Sequence, residues 1–346
     1  MDGPRELAAG AVQLAVEAEP VAGAPALRGT DYVVKRTAFA LITVFVAVTI
    51  NFALFRLAPG SAISNLSRVP HATPETRLAL KRQFGLDKSK LTQYGIYLRE
   101  LAHGNLGVSF ENSQPVWSNL RTATLNTLPM VALGTIFAIV IGTLTGVVAA
   151  WRRGTFVEGA TVSSALAFYS MPTHWLGLML VILFTGVLPT GGMTNDFLID
   201  PSWWTHLKDV LSHMALPSLT LGLVLYGEYT LIARSAMLET LGEDYVLTAR
   251  AKGLKPWAII RRHALPNALL PIVTLVALSL GYIVAGAILI ETVFSWPGVG
   301  RAVYEAVLQR DYPMLQGAFL LLTISVVVCN LVADLLYFKL DPRITA

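Results

Sequence analysis

The sequence predicts an all-α integral membrane protein with six transmembrane helices and a long extracytoplasmic segment between the first two. Three observations predict it. Of 346 residues, 54% are hydrophobic and 14% charged, and the mean hydropathy is +0.58. The apolar residues gather into runs of about 20, the length that the hydrocarbon core of a bilayer requires. Those runs are continuous rather than alternating, which excludes a transmembrane barrel and leaves helices, whose backbone bonds are satisfied within one segment.

Residues 1–31, rich in Ala, Glu, Pro and Gly, read as a mobile cytoplasmic tail with room for a helical fragment over 6–18. They lack the apolar core of a signal peptide. The transmembrane domain then occupies 32–346, with spans near 34–57, 125–151, 159–188, 216–237, 268–290 and 315–338. The third is long enough to tilt or to break at Pro172. Short loops set the topology. Arg152 and Arg153 lie between spans two and three, five Lys/Arg lie in the 238–267 loop, and Lys339 and Arg343 follow span six. All share one side, so that side and both termini are expected to be cytoplasmic. The 58–124 segment is basic too, but a segment that long translocates regardless of its charge. Within it, 77–84 and 91–103 read as short amphipathic helices. Trp203, Trp204 and Trp296 are expected as interfacial anchors on the outer side and Trp151 on the inner.

Composition also excludes functions. The net charge of +4 is loop charge near a membrane, with no basic patch interleaved with aromatics, so nucleic acid is not an expected partner. The single cysteine, Cys329, forbids an internal disulfide. The dipeptide Gly-Lys occurs nowhere, so the chain has no GxxxxGK[ST] phosphate loop; any energy from ATP enters through a partner, and no cofactor is expected on this chain. No histidine pair has metal-ligand spacing, and His206 and His213, seven apart, read as polar surface; no metal site is expected. No nucleophile–base pair is legible, so the chain is not read as an enzyme.

Carboxylates inside spans are costly, by roughly 3 kcal/mol. Glu228 near the middle of span four, with Tyr229 beside it, admits two readings: a polar patch on a translocation path, or a residue paired inside the bundle. Asp334, near the inner end of span six, reads as paired with a neighbouring Arg or Tyr. Gly142-x-x-x-Gly146 predicts close helix packing.

The most organised stretch is 245–271, YVLTARAKGLKPWAIIRRHALPNALLP, which carries Arg250, Lys252, Lys255, Arg261 and Arg262 between two apolar spans. Its order predicts an amphipathic helix, a turn at Gly253, and a second short helix ended by Leu265-Pro266. By itself it could be a docking knuckle or a basic surface helix. A second rigid stretch, ETVFSWPGVGRAVYEAVLQRDYPML from Glu291, combines a turn at Pro297-Gly298 and Gly300 with two amphipathic turns. With Trp296 and Arg301 it suits an outer gate or partner-docking loop.

The 245–271 run resembles the loop by which permease subunits of ATP-binding-cassette importers dock on their ATPases. That consensus is Glu-Ala-Ala, three residues, Gly, nine residues, Ile, one residue, Leu-Pro. Here Leu247-Thr248-Ala249, Gly253, His263 and Leu265-Pro266 hold those places, and TARAKGL is the form typical of the peptide-permease branch. Further matches follow in order: RLAPG at 56–60, FGLDKSKLTQYGIYL, HGNLGVSF, LPTGG at 188–192, FSWPGVGR with RDYP, and NLVADLLYFKLDPRI. They cover 32–344. Departures are Leu247 and His263 in the docking consensus, Asn105 where Asp is common, and Thr230-Leu231 where a second Arg is common.

The resemblance implies a permease of the type I importer fold in a bacterial inner membrane. It also implies a second permease, two ATPases that use ATP and Mg, and an extracytoplasmic substrate-binding protein. Its docking residues would be Thr248, Ala249, Arg250, Ala251, Lys252, Gly253, Leu254, Leu265 and Pro266. The cargo path would include Glu228 and Tyr229. Cargo in this branch is a dipeptide or oligopeptide, with nickel, glutathione or an oligosaccharide as alternatives. An ion channel is the remaining other class, and it predicts conductance from this chain alone.

Overall fold

In the computed structural model the described residues are 29–57, 88–195, 197–198, 201–283 and 287–340. Residues 1–28 of the expected 1–31 tail and the expected helix over 77–84 lie outside them, while 29–31 already belong to the first helix. The described residues form helices, with α1 Gly29–Leu57, α2 Lys90–Ala102, α3 Val116–Trp151, α4 Phe156–Ser170, α5 Thr173–Phe184, α6 Trp203–Leu241 and α7 Asp244–Ala251. They continue with α8 Pro256–Ile259, a π turn Ile260–Ala264, α9 Leu265–Ile283, α10 Ile288–Val293, α11 Val299–Gln309 and α12 Tyr312–Leu340.

Among the described residues, four helices are long and apolar enough to cross a membrane: α1, α3, α6 and α12. The pair α4/α5, bent by 107°, makes a fifth if it counts as one span. The bend falls at Pro172, which caps α5 with φ −58° and ψ 128°; extended backbone there ends α4 before the proline. α9 stands where the fifth predicted span was placed and is described as far as Ile283; α10 begins at Ile288. α3 and α6, at 36 and 39 residues, contain expected spans two and four and run on beyond them, past the bilayer thickness.

The centre of the bundle is the α3–α6 pair. A Cβ placed at Gly146 would fall 2.5 Å from the Thr230 carbonyl oxygen and 2.7 Å from the Ala233 Cβ, so only glycine permits this approach. A Cβ at Gly142 would meet Tyr229 in the same way, which is the close packing that the GxxxG spacing predicts. Ala138, Tyr229, Ala233 and Ile272 form the cluster there, drawing in α9. Ser218 on α6 donates to the carbonyl of Met130, the residue after Pro129, at 2.9 Å.

Three polar contacts bind the periphery. Arg234 on α6 forks onto Glu158 of α4, its Nε 3.0 Å from Oε1. Arg36 of α1 pairs with Asp334 of α12 at 3.1 Å, as expected for that aspartate. Asn51 of α1 donates to the Gln316 carbonyl of α12 at 2.9 Å. Phe39, Leu41, Ile42, Phe45 and Leu54 of α1 stay exposed, an apolar surface that suits lipid.

Candidate functional sites

The hairpin after α6 is built by two backbone devices. α7 ends at Lys252 with Gly253 at φ +73°, the Gly253 N–H donating to Arg250 O (2.9 Å) and the Leu254 N–H to Ala249 O (3.3 Å). This pair of bonds satisfies the last carbonyls of the helix and requires the left-handed residue that glycine supplies. Pro256 then opens α8 at a position whose N–H would be unbonded anyway.

The second expected helix does not end at Leu265-Pro266. The chain passes from α8 through the π turn into α9, with the Leu265 N–H reaching back to Ile260 O. Pro266 has no N–H, and its ring would collide with the carbonyl four residues back; widening the preceding turn relieves that clash and lets the helix continue. The hairpin's second limb and α9 are therefore one continuous rod.

Val246, Ala249 and Ile259 are buried together against Leu241, and Ile260 and Ala264 are buried with Ala150, Met237 and Ala268. The hairpin is thus seated on α3, α6 and α9. Thr248, Arg250, Ala251, Lys252, Gly253, Leu254 and Pro266 are exposed and Leu265 is half-buried. Ala249 differs from the others: at 4% exposure it packs inward, one turn from Val246 on the same face. Tyr245, Leu247 and Trp257, none of them among the expected docking residues, are exposed as well, Trp257 at 69%. A tryptophan inside a basic run was the available signal.

Glu228 and Tyr229 separate. Glu228 is half-buried, and among the described residues no side chain pairs with it. Tyr229 is fully buried, packed with Ala138 of α3 and Ile272 of α9; successive helical positions point about 100° apart. His213 is buried with Nδ1 2.9 Å from the Asp209 carbonyl, so it is not the polar surface expected, whereas His206 is exposed.

The α10–α11 corner, outside the predicted spans, is held from within. Glu291 is fully buried; it accepts from Thr127 Oγ1 at 2.7 Å and from the Arg301 N–H at 3.0 Å. Burial pushes its carboxyl up from the ordinary value, against the hydrogen bonds from Thr127, Arg301 and Gly300, which pull it down. Trp296 corrects the expectation of an interfacial anchor: it is 1% exposed, and its Nε1 donates to Asn126 O at 2.9 Å. Gly298 and Gly300 are packed so tightly that an added Cβ would strike Glu291 and Ile288. Of the five residues expected to form this loop's outer face, Pro297 is exposed and Arg301 partly so, while Trp296, Gly298 and Gly300 are buried. Asp311, also buried, accepts from Ser109 Oγ at 2.5 Å and the Phe110 N–H at 3.0 Å, and caps α12 through Met314. Beside this corner opens a cleft of about 370 Å³ whose lining includes Asn112, Asn119, Asn126, Pro297, Arg301 and Glu305.

Comparison with known proteins gives consistent matches. A profile described as the binding-protein-dependent transport system inner membrane component matches residues 142–346, and the profile of the N-terminal part of such membrane components matches 30–131. The chain is 37% identical over 334 residues to the dipeptide transport system permease protein DppB of Escherichia coli K12, covering 91% of this chain and 98% of that one. It is 38% identical over 331 residues to the di/tripeptide transport system permease protein DppB of Pseudomonas aeruginosa, with the same shares. Among solved structures, an inward-facing MetNI methionine ABC transporter chain superposes with a TM-score of 0.50 at 20% identity, over 62% of this chain and 93% of that one.

Proposed function

Because the chain belongs to the family of binding-protein-dependent transport system inner membrane components, a permease of the type I ABC importer fold, we propose that it forms half of the membrane pathway of a peptide importer. The names of its relatives support di- and tripeptides as cargo over nickel, glutathione or an oligosaccharide. A second permease completes the pathway, two ATPases supply ATP hydrolysis with Mg, and an extracytoplasmic protein delivers the peptide. This chain contributes no catalytic group. Both termini and the α7–α8 hairpin face the cytoplasm, as the distribution of Lys and Arg requires.

One observation carries the coupling role: the hairpin tip presents Leu247, Leu254 and Trp257 among Arg250, Lys252 and Lys255 while its base is buried on α3, α6 and α9. Exposed apolar side chains rimmed by charge suit a protein partner. Motion of ATPase subunits gripping that tip passes directly into α9, since no flexible joint separates them. Rigid-body rocking of α6 and α9 then switches the pathway between two states, biased by contacts that differ between them. Purification from a native membrane followed by peptide uptake in vesicles tests the reading. Co-purification with an ATPase and ATP-dependent peptide uptake are expected; a homo-oligomer conducting ions without a partner would overturn it.

A further inference from the structure

The cleft beside the α10–α11 corner lies at the end of the bundle opposite the hairpin. Asn119, Thr122 and Asn126 share one face of the first three turns of α3, whereas the hairpin is seated at Ala150, near that helix's end. Asn126 and Ala150 are 24 positions apart. That length of helix rises about 36 Å, more than the hydrocarbon core is thick, so the cleft opens on the far side of the membrane from the hairpin.

Two walls of the cleft are fixed from behind by buried carboxylates. Asp311 accepts from Ser109 Oγ at 2.5 Å and from the Phe110 and Glu111 N–H groups at 3.0 and 3.3 Å, which sets the loop carrying Glu111 and Asn112. Glu291 accepts from Thr127 Oγ1 and the Arg301 N–H, which sets the start of α11 against α3. A cleft held in this way needs little rearrangement to receive a ligand.

The lining offers both charges together with neutral donors and acceptors. Glu111 and Glu305 are carboxylates, Arg301 is a guanidinium, and Asn112, Asn119 and Asn126 are amides. Arg301 Nε donates to Glu305 Oε1 at 2.7 Å, yet the two side chains remain 34% and 42% exposed. Asn112 and Asn119 exchange amide hydrogen bonds at 3.3 and 3.2 Å, a pairing that a peptide group, with one donor and one acceptor, can replace. The volume of about 370 Å³ falls in the range of small-molecule sites.

We propose that this cleft binds a short peptide with free termini, its ammonium group on Glu305 and Glu111, its carboxylate on Arg301 and its backbone on the asparagine amides. This rests on the reading of the chain as a peptide-importer permease, and adds a place on the permease itself where cargo is received. A zwitterion suits the cleft better than a simple cation or anion, because carboxylates and a guanidinium line one space. Recognition through termini and backbone accepts peptides of varied sequence.

The test uses the assembled transporter in lipid nanodiscs, without its binding protein, and labelled trialanine. Saturable binding is expected, weakened about tenfold by N-acetylation or C-amidation of the peptide, each of which removes a charge-assisted hydrogen bond. The double variant Glu111→Gln with Glu305→Gln should bind free and N-acetylated peptides alike. Thr122→Trp, which fills the cleft from an exposed position, should abolish binding, while Thr122→Ala should bind as wild type. ATP-driven uptake with the binding protein is measured in parallel. Normal uptake without saturable binding, or binding unchanged by Thr122→Trp, overturns the cleft assignment alone; absent wild-type uptake overturns the importer reading as well. If Thr122→Trp blocks capture of the binding protein and leaves trialanine binding intact, the cleft is a protein-docking surface and the assignment falls.

Discussion

Thr127 on α3 and Glu291 on α10 are joined by one hydroxyl used in both directions: it donates to Glu291 Oε1 at 2.7 Å and accepts the Val299 N–H at 2.9 Å. All three residues are buried, so the corner between α10 and α11 is fastened to α3 from inside. Thr127→Val keeps the shape and removes both bonds, leaving an acceptor and an N–H buried and unpaired. Each costs about 1–3 kcal/mol. A lowered thermal midpoint with faster amide exchange at 292–301 is the expected result, while Thr127→Ser should restore most of it.

Glu291 also makes that corner sensitive to pH. Its carboxyl is raised above the ordinary 4.5 by burial, so the folded protein holds the proton more tightly than the unfolded chain. This contribution is complete below the unfolded value and is lost as pH rises through the folded one. The wild-type midpoint should therefore fall between acidic and neutral pH by more than that of Glu291→Gln. Equal pH profiles for the two proteins would show that the carboxyl does not titrate there.

Gly253 separates backbone strain from crowding. At φ +73° no atom lies within 4 Å of a Cβ placed there, so Gly253→Val costs only the left-handed conformation, about 1–2 kcal/mol. Membrane insertion should survive while ATP-driven uptake falls sharply, because the tip loses its shape. Gly253→Asn, which tolerates that conformation, should retain most uptake. Vesicle transport measured alongside ATPase activity distinguishes uncoupling from misassembly.

Gly146 is the opposite case, with crowding and no strain. Gly146→Leu would force α3 away from Thr230 and Ala233 of α6, and core overpacking costs about 1–3 kcal/mol or more where the backbone itself blocks. Little folded protein should be recovered from membranes, against near-normal yield for Gly159→Ala, where a Cβ meets nothing.

Glu228 is half-buried and, among the described residues, unpaired. Glu228→Gln should leave the thermal midpoint nearly unchanged and selectively weaken uptake of positively charged peptides relative to neutral ones. A large stability loss with unaltered peptide preference would place this carboxylate in the packing instead.

Several parts of this architecture are legible in the sequence because they depend on local chemistry. Apolar run length marks α1, α3, α6 and α12, Pro172 marks the bend, and the order Thr248-Ala249 to Gly253 and Pro256 marks the hairpin, since caps and turns are decided by neighbouring residues. Asp334 could be read as paired because a carboxylate near a span end needs a counter-charge. Only the tertiary structure could decide which face each residue shows. Ala249 and Tyr229 look available in a linear reading and are buried, Trp257 is exposed, and Trp296 is enclosed although tryptophans in outer loops usually sit at the interface. Pro266 reads as a stop signal, but a π turn, sustained by packing on α3 and α6, carries the helix through it. The sequence by itself determined a six-span reading, the basic hairpin and the importer family, all of which follow from length, charge and local turn chemistry. Long-range packing decided the buried acids Glu291 and Asp311 and the fusion of hairpin and span, because contacts between residues far apart in the chain leave no local pattern to read.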